Sequence, residues 1–528
     1  MYQETQCATA VRQDGRFELL RHEIAMSFYR FRLPLTAIGL FLIYISAYPC
    51  RIELSGDQTA QVAAAESLLW EGAYKVPLHE AYGPAFVVNI GSDLRQPLRW
   101  YPPGYSIALY ALAKLGLSFA GSALLLFYLA KFFWTLSWMA AGLAYDISYP
   151  ITACAVAFSL LLTYPSTTTE IFESTAVALL FLALSTRLAS PASATLASAS
   201  VAGGTLFRFA AIKLLGFLAL VEFVRRPRIV TCFKVALAAV PSLVLYVVCT
   251  RVIGDDSTPY HGVGPGSQTR WILLLKGFYY AATGGWSPTN MPLRALVVVI
   301  ILMAMVGLFR LARGGALPRW IVLLIAFQTY YIVFLIITQV RFGSMYSATQ
   351  PAFATPRFFS VTQPFNVAAL LFLAPFALPP LNSVLQKATA VIFFLCIVDW
   401  MIQNHLIMAG MALCPDGFVR FADVAAVHRV LRSEHSDGIF DGTGVFVYTA
   451  ADPRIIYPDN VRGLRSPNNT RIAVVRFAGL PDELLNALEK RVAPYEVKQF
   501  NRFEVDFFAL PRGFELQLKP RPGFVPHV

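Results

Sequence analysis

Apolar runs long enough to cross a bilayer recur along this chain, and they leave one broad class of fold open to it. About eleven of them occupy residues 33–50, 121–143, 151–165, 174–189, 196–207, 209–224, 233–250, 293–309, 318–338, 364–382 and 389–409. Lipid offers a backbone amide no hydrogen-bond partner, so segments of this kind must be helices that satisfy their own amides. The expected fold is therefore mainly α, a polytopic membrane bundle. Composition agrees, since 56% of the 528 residues are hydrophobic and only 14% are charged, too few to clothe a soluble surface. The net charge of +12 comes without any long Lys/Arg block. It reads as cytoplasmic loop charge with contact to anionic lipid, not as a nucleic-acid surface.

Loop charge also orients the bundle. The stretch "RWYPPGYSIALYAL" (Arg99–Leu112) opens a further apolar segment, 103–120, whose prolines and glycine suit a helix lying along the interface, with Pro103 at its first position. If that segment does not cross, "VRRPR" (224–228) and "RLARGGALPR" (310–319) fall on the same side as the arginine-rich tail 1–32, as the positive-inside tendency prefers. The tail then lies in the cytoplasm, the first helix is retained, and 51–120 becomes a long outer loop with juxtamembrane helices. The membrane domain spans 33–409. Beyond it, 410–528 changes character: "GVFVYT" and "IAVVRF" read as buried strands, "PDELLNALEKRVA" as an amphipathic helix, and "YEVKQFNRFEVDFFAL" as two strand segments. That is a small α/β domain on the outer side. The seven cysteines show no metal or redox spacing, although Cys50 and Cys414 both fall outside, where a disulfide is open to them.

Ionisable groups at membrane helix ends are costly unless they face a cavity or one another. On this topology Asp57, Arg99, Glu170, Glu173, Arg208, Arg341 and Arg357 all gather at the outer face. Each also has a plainer reading. Asp57 in "GDQTAQVAAAESLLWEG" suits a helix N-cap, which is compatible with service as a base. Arg341 and Arg357 suit interfacial anchors, and "YPSTTTEIFEST" (164–175) suits an ordinary polar turn. Several arginines on one face nonetheless point to an anionic ligand such as a phosphate headgroup. Asn468 opens an Asn-x-Thr triplet, and His261 is a lone histidine in a Gly/Pro loop; neither carries a site.

Taken in order, "GDQTAQVAAAESLLWEG", "YPPGYSIALYAL", "YPSTTTEIFESTAVALLFLAL", "VAGGTLFRFAAI" and "PRFFSVTQPF" resemble the GT-C superfamily of integral-membrane glycosyltransferases. The branch they are most similar to holds the protein O-mannosyltransferases and the bacterial lipid A aminoarabinose transferases. The resemblance spans about residues 33–380 and implies an inverting transfer from a polyprenyl-phosphate sugar to a hydroxyl of a lipid, glycan or protein. It implies Asp57 as catalytic base, and Arg99, Tyr101, Arg208, Arg341 and Arg357 around the donor phosphate. Glu173, with Glu170 close by, matches the acid of the second outer loop. Many relatives carry a second acid after the aspartate where this chain has Gln58, so a metal-independent enzyme without cofactor is expected. The "WWD" acceptor motif of oligosaccharyltransferases is absent. A bacterial inner membrane is the expected location. The competing readings are a transporter or flippase of lipid-linked sugars, and a ligase using a lipid pyrophosphate donor.

Overall fold

The computed structural model of the protein describes residues 32–45, 56–77, 86–91, 95–98, 101–162, 167–185, 190–225, 236–237, 239–253, 271–341, 351–410, 421–443, 454–456, 461–479, 482–501 and 503–518. Arg99, His261, Cys50, Cys414 and the "GVFVYT" segment lie outside them, as do the side chains of Asp57 and Arg341.

In chain order the helices are α1 (Arg32–Ile45), α2 (Gly56–Glu71), α3 (Gly104–Lys114), α4 (Phe119–Ala144), α5 (Tyr149–Leu161), α6 (Thr168–Leu184), α7 (Ser190–Phe207), α8 (Ile212–Arg225), α9 (Val240–Val247), α10 (Leu274–Thr283), α11 (Met291–Arg313), α12 (Arg319–Arg341), the continuous helical stretch α13 (Pro356–Ala377), α14 (Asn382–Gly410), α15 (Phe421–Ser433) and α16 (Glu483–Glu489). The described part of every apolar run overlaps one of them. Among the described residues five segments are long and apolar enough to cross a membrane, within α4, α11, α12, α13 and the stretch Pro379–Ile402, and four shorter apolar helices accompany them.

Local chemistry sets the ends. Ser118 caps α4 by accepting from the Gly121 amide at 3.0 Å. Thr167 and Glu170 form a reciprocal capping box at the start of α6, which satisfies two otherwise orphaned amides. Between α7 and α8 a single 3-10 turn, Phe209–Ala211, breaks the helix directly after Arg208.

The membrane core is dense with aromatics. Trp138, Phe181 and Phe365 from α4, α6 and α13 meet with ring centroids 4.9–6.3 Å apart. One hydroxyl ties the same three helices: Ser174 accepts from the indoles of Trp134 (2.8 Å) and Trp138 (3.2 Å) and donates to the Val361 carbonyl (2.9 Å). That fixes the height of α13 against α6.

The segment expected along the interface is shorter and more deeply seated than its hydropathy implies. Pro103 is the N-cap, so the helix starts one residue later than expected, and Gly104, Tyr105, Ser106 and Leu109 are buried. Tyr105 and Leu109 share a core with Val62 and Ala65 of α2 and Ala123 of α4. A Cβ on Gly104 would stand 2.6 Å from the Leu206 side chain, so only glycine admits α7 this close.

Among the described residues there are ten short strands: β1 (Lys75–Pro77), β2 (Phe86–Asn89), β3 (Arg95–Pro97), β4 (Gly438–Asp441), β5 (Ile455–Ile456), β6 (Val461–Ser466), β7 (Thr470–Phe477), β8 (Glu496–Gln499), β9 (Phe503–Leu510) and β10 (Phe514–Gln517). Five form a mixed sheet in the order β5-β4-β7-β9-β8, with "IAVVRF" at its centre in β7. The expected amphipathic helix is α16, capped by Asp482, whose carboxylate accepts from the Leu485 amide at 2.9 Å.

A second sheet, β10-β6-β2, contains a strand that the chain order does not announce. β2 belongs to the 51–120 loop, yet it pairs in parallel with β6, Val87 opposite Gly463. Val88 and Ile90 then join Leu464, Phe440 and Leu484 in one core. On the other face of the five-stranded sheet, Ala60, Ala63 and Ala64 of α2 pack with Val427 of α15 and Phe503 and Phe507 of β9. The C-terminal unit therefore extends beyond the expected 410–528 boundary and grips the helix that carries Asp57.

Candidate active site

Six helix ends meet at one end of the bundle: the starts of α2, α3, α6, α8 and α13, and the end of α7. Hydrogen bonds stitch them together. Ser106 of α3 donates to the Gln61 carbonyl of α2 at 2.8 Å. Tyr105 bonds the Thr168 hydroxyl at the head of α6, and burial pushes its phenol well above the ordinary tyrosine range, so it stays neutral.

Two acids on α6 and two bases from the α7–α8 break form a closed cluster. The Arg208 guanidinium reaches Glu170 Oε1 at 3.1 Å through Nη1 and Glu173 Oε2 at 2.9 Å through Nε. Lys213 Nζ donates to Glu173 Oε1 and sits 3.7 Å from the Tyr331 ring centroid. These carboxylates are 2–3% exposed, Lys213 0% and Arg208 12%. Spacing explains the arrangement: Glu170 and Glu173 lie three apart and share a helix face, while the break after Arg208 lets it and Lys213 turn the same way.

Arg357, near the head of α13, stands within electrostatic reach of Glu173 and is exposed. Its backbone is fixed by the Ser360 hydroxyl, which donates to the Arg357 carbonyl at 2.7 Å. Two acids against three bases leave this group with one net positive charge. An anion is the ligand such a surplus favours.

The structure thus brings Glu170, Glu173, Arg208 and Arg357 together. Asp57 occupies the second position of α2, inside the first turn and not at the N-cap, four residues before Gln61. Tyr101 is half-buried just before α3, packed against the core shared by α2 and the C-terminal sheet. Arg341 is the last residue of α12. The two carboxylates hold the Arg208 side chain largely out of solvent. Glu170 serves both as a capping residue and as an ion-pair partner, so its plainer reading also holds.

Lys213 is not among the residues expected at the site, because it sits inside an apolar run. Its position five residues beyond Arg208, in a stretch with few other charges, was the available signal. Two buried amides were also missed. Gln61 and Gln363 are fully buried, and neither side-chain amide has a hydrogen-bond partner among the described residues. Gln61 lies one helical turn from Asp57 and on its face. Polar groups left open at this depth are costly, about 1–3 kcal/mol each, and mark a place where a polar guest would gain.

No protein-family model matches the chain, and no curated protein matches it. Among solved structures, the crystal structure of ArnT from Cupriavidus metallidurans bound to undecaprenyl phosphate is similar with a TM-score of 0.50 at 12% identity, over 90% of this chain and 97% of that one. The apo form of the same protein gives 0.50 and 12% over 92% and 98%. Arabinofuranosyltransferase AftD from Mycobacteria gives 0.47 and 14% over 92% of this chain and 40% of that one. At such identity the likeness to ArnT is one of fold, and it covers nearly the whole of both chains.

Proposed function

We propose that this chain is an inverting, integral-membrane GT-C glycosyltransferase that moves a sugar from a polyprenyl-phosphate donor to an acceptor hydroxyl. The observation that carries the reading is the cationic cluster at one end of a bundle with the fold of ArnT, a protein crystallised with undecaprenyl phosphate. That cluster lies where α6 meets α3, and α3 packs on the helix bearing Asp57.

In this mechanism Asp57 takes the proton of the acceptor hydroxyl as its oxygen attacks the anomeric carbon. The bond from that carbon to the phosphate oxygen breaks, and polyprenyl phosphate departs with the electron pair. Arg357 faces the developing phosphate charge, with Arg99, Tyr101 and Arg341 completing the cradle. Arg208, held by two carboxylates, sets the position of Glu173. Gln58 supports a reaction without a metal. The arginine-rich end of the bundle, with Arg32, Arg310, Arg313 and Arg319, faces the cytoplasm, and the site and C-terminal unit face outward, as in a bacterial inner membrane.

The test uses purified protein in detergent, a radiolabelled polyprenyl-phosphate sugar and a membrane extract as acceptor. Wild type is expected to transfer label and release polyprenyl phosphate with chelator present, and Asp57→Asn to lose transfer by several orders of magnitude. An Asp57→Asn variant as active as wild type overturns the mechanism. Donor binding without transfer across several sugars points to a carrier instead.

A further inference from the structure

The other end of the bundle holds a cavity of about 650 Å³ that the reaction does not use. On α6 the ion-paired Glu173 lies 11 residues before Leu184 of the cavity wall, about 17 Å at 1.5 Å per residue. Leu184, Phe217, Leu220 and Leu323 form apolar walls, and Asp146 and Arg319 add opposite charges. Its size falls in the range of about 300–1,000 Å³ typical of small-molecule sites. Leu220 is 44% exposed on the side of α8 turned to lipid, so the cavity adjoins the bilayer.

Asp146 is an expensive residue at this position. It ends α4 with φ 60°, and it is the one non-glycine residue with positive φ among those described. The Ile147 amide reaches back to the Gly142 carbonyl at 3.1 Å, the closure that usually places glycine at this point. Its carboxylate also stands at the helix C-terminus, where the dipole favours cations. Strain and unfavourable charge at one residue beside a cavity are a mark of function more than of folding. Arg319, exposed at the first turn of α12, has no ion-pair partner among the described residues. The mouth is held rigid by Tyr145, whose hydroxyl donates to the Phe181 carbonyl at 2.8 Å.

We propose that this cavity binds an amine-bearing phospholipid of the surrounding bilayer, with an acyl chain between α8 and α12, the phosphate on Arg319 and the ammonium on Asp146. The opposite charges at the mouth match a zwitterionic headgroup, and the apolar walls match its chain. The site is independent of the transfer reaction. A lipid bound here bridges α4, α6, α8 and α12, of which α6 and α8 carry the ion-paired cluster near their other ends.

Native mass spectrometry of the full-length protein in detergent, titrated with phosphatidylethanolamine and phosphatidylglycerol of identical chains, tests it. Wild type is expected to retain one phosphatidylethanolamine in preference to phosphatidylglycerol. Asp146→Gly relieves the backbone strain, so the protein should melt no lower than wild type while its affinity for phosphatidylethanolamine falls about tenfold, or about 1.4 kcal/mol. Arg319→Gln should weaken both lipids. Equal binding of the two lipids by wild type overturns the proposal, as does unchanged phosphatidylethanolamine binding in both variants. Displacement of the bound lipid by undecaprenyl phosphate would give the cavity to the donor's chain and overturn it equally.

Discussion

Lys213 meets Glu173 between α8 and α6 with side chains 0% and 2% exposed, whereas Lys498 meets Glu434 at 2.8 Å on the C-terminal unit with 29% and 28% exposed. The functional groups are the same and their surroundings are opposite. Water competes for every bond the second pair makes, so forming it changes little. The first pair has surrendered its hydration, and each charge depends on the other to remain tolerable. A buried pair dictates where its neighbours stand; an exposed one follows where the backbone puts it.

Breaking the buried pair on one side should have the largest effect on the fold. Lys213→Met strands the Glu173 carboxylate, and a loss of about 3–5 kcal/mol is expected, read as a lowered thermal midpoint of the purified protein. A midpoint near wild type would put this pair on the same footing as the exposed one. Removing both charges together sharpens the contrast. The double variant Glu173→Gln with Lys213→Met should recover most of the lost stability, since a neutral pair costs little desolvation, while transfer stays impaired because Arg208 has lost one of its two anchors. Full recovery of transfer would reduce the cluster to a structural clamp.

Acid titration separates two carboxylates within the C-terminal unit. The hydrogen bond from Lys498 holds Glu434 below the usual carboxylate range. Its contribution is therefore present above the unfolded pKa and lost as pH falls through the folded one. Burial pushes Asp506 the other way, above its ordinary 3.8, against the pull of Arg476. The folded state then holds that proton more tightly, so stability at this site rises as pH falls between the unfolded and folded values. Urea midpoints across the acid range should lose opposite slopes in Glu434→Gln and Asp506→Asn; slopes of the same sign would show that the local surroundings do not govern them. The smallest effect is expected from Lys498→Ala at neutral pH: no resolvable change in melting temperature, and little response to added salt.

The same contrast explains what could be read from the sequence. The described part of each apolar run is mainly helical, because bilayer-spanning hydrophobicity is local information. Glu170, Glu173, Arg208 and Arg357 were legible as a group because charges at membrane helix ends are rare enough to stand out. Lys213 was not, because an apolar window treats a lysine as a gap, and only the break after Arg208 turns it toward Glu173. The α16 and β7–β9 segments followed from capping and alternation. β2 was invisible: "FVVN" is four residues long and its partner is distant in the chain, so no local pattern carries its pairing.

That pairing of Val87 with Gly463 sets an order of events in making the protein. A strand that emerges near the start of the chain must wait, its edge open, until almost everything else has been synthesised and inserted. Contacts between such distant segments close slowly, because the entropy of the intervening loop is lost before they form. The helix bearing Asp57, which packs on the equally late five-stranded sheet, is thus seated last, and a half-made chain in the membrane lacks the support that positions it.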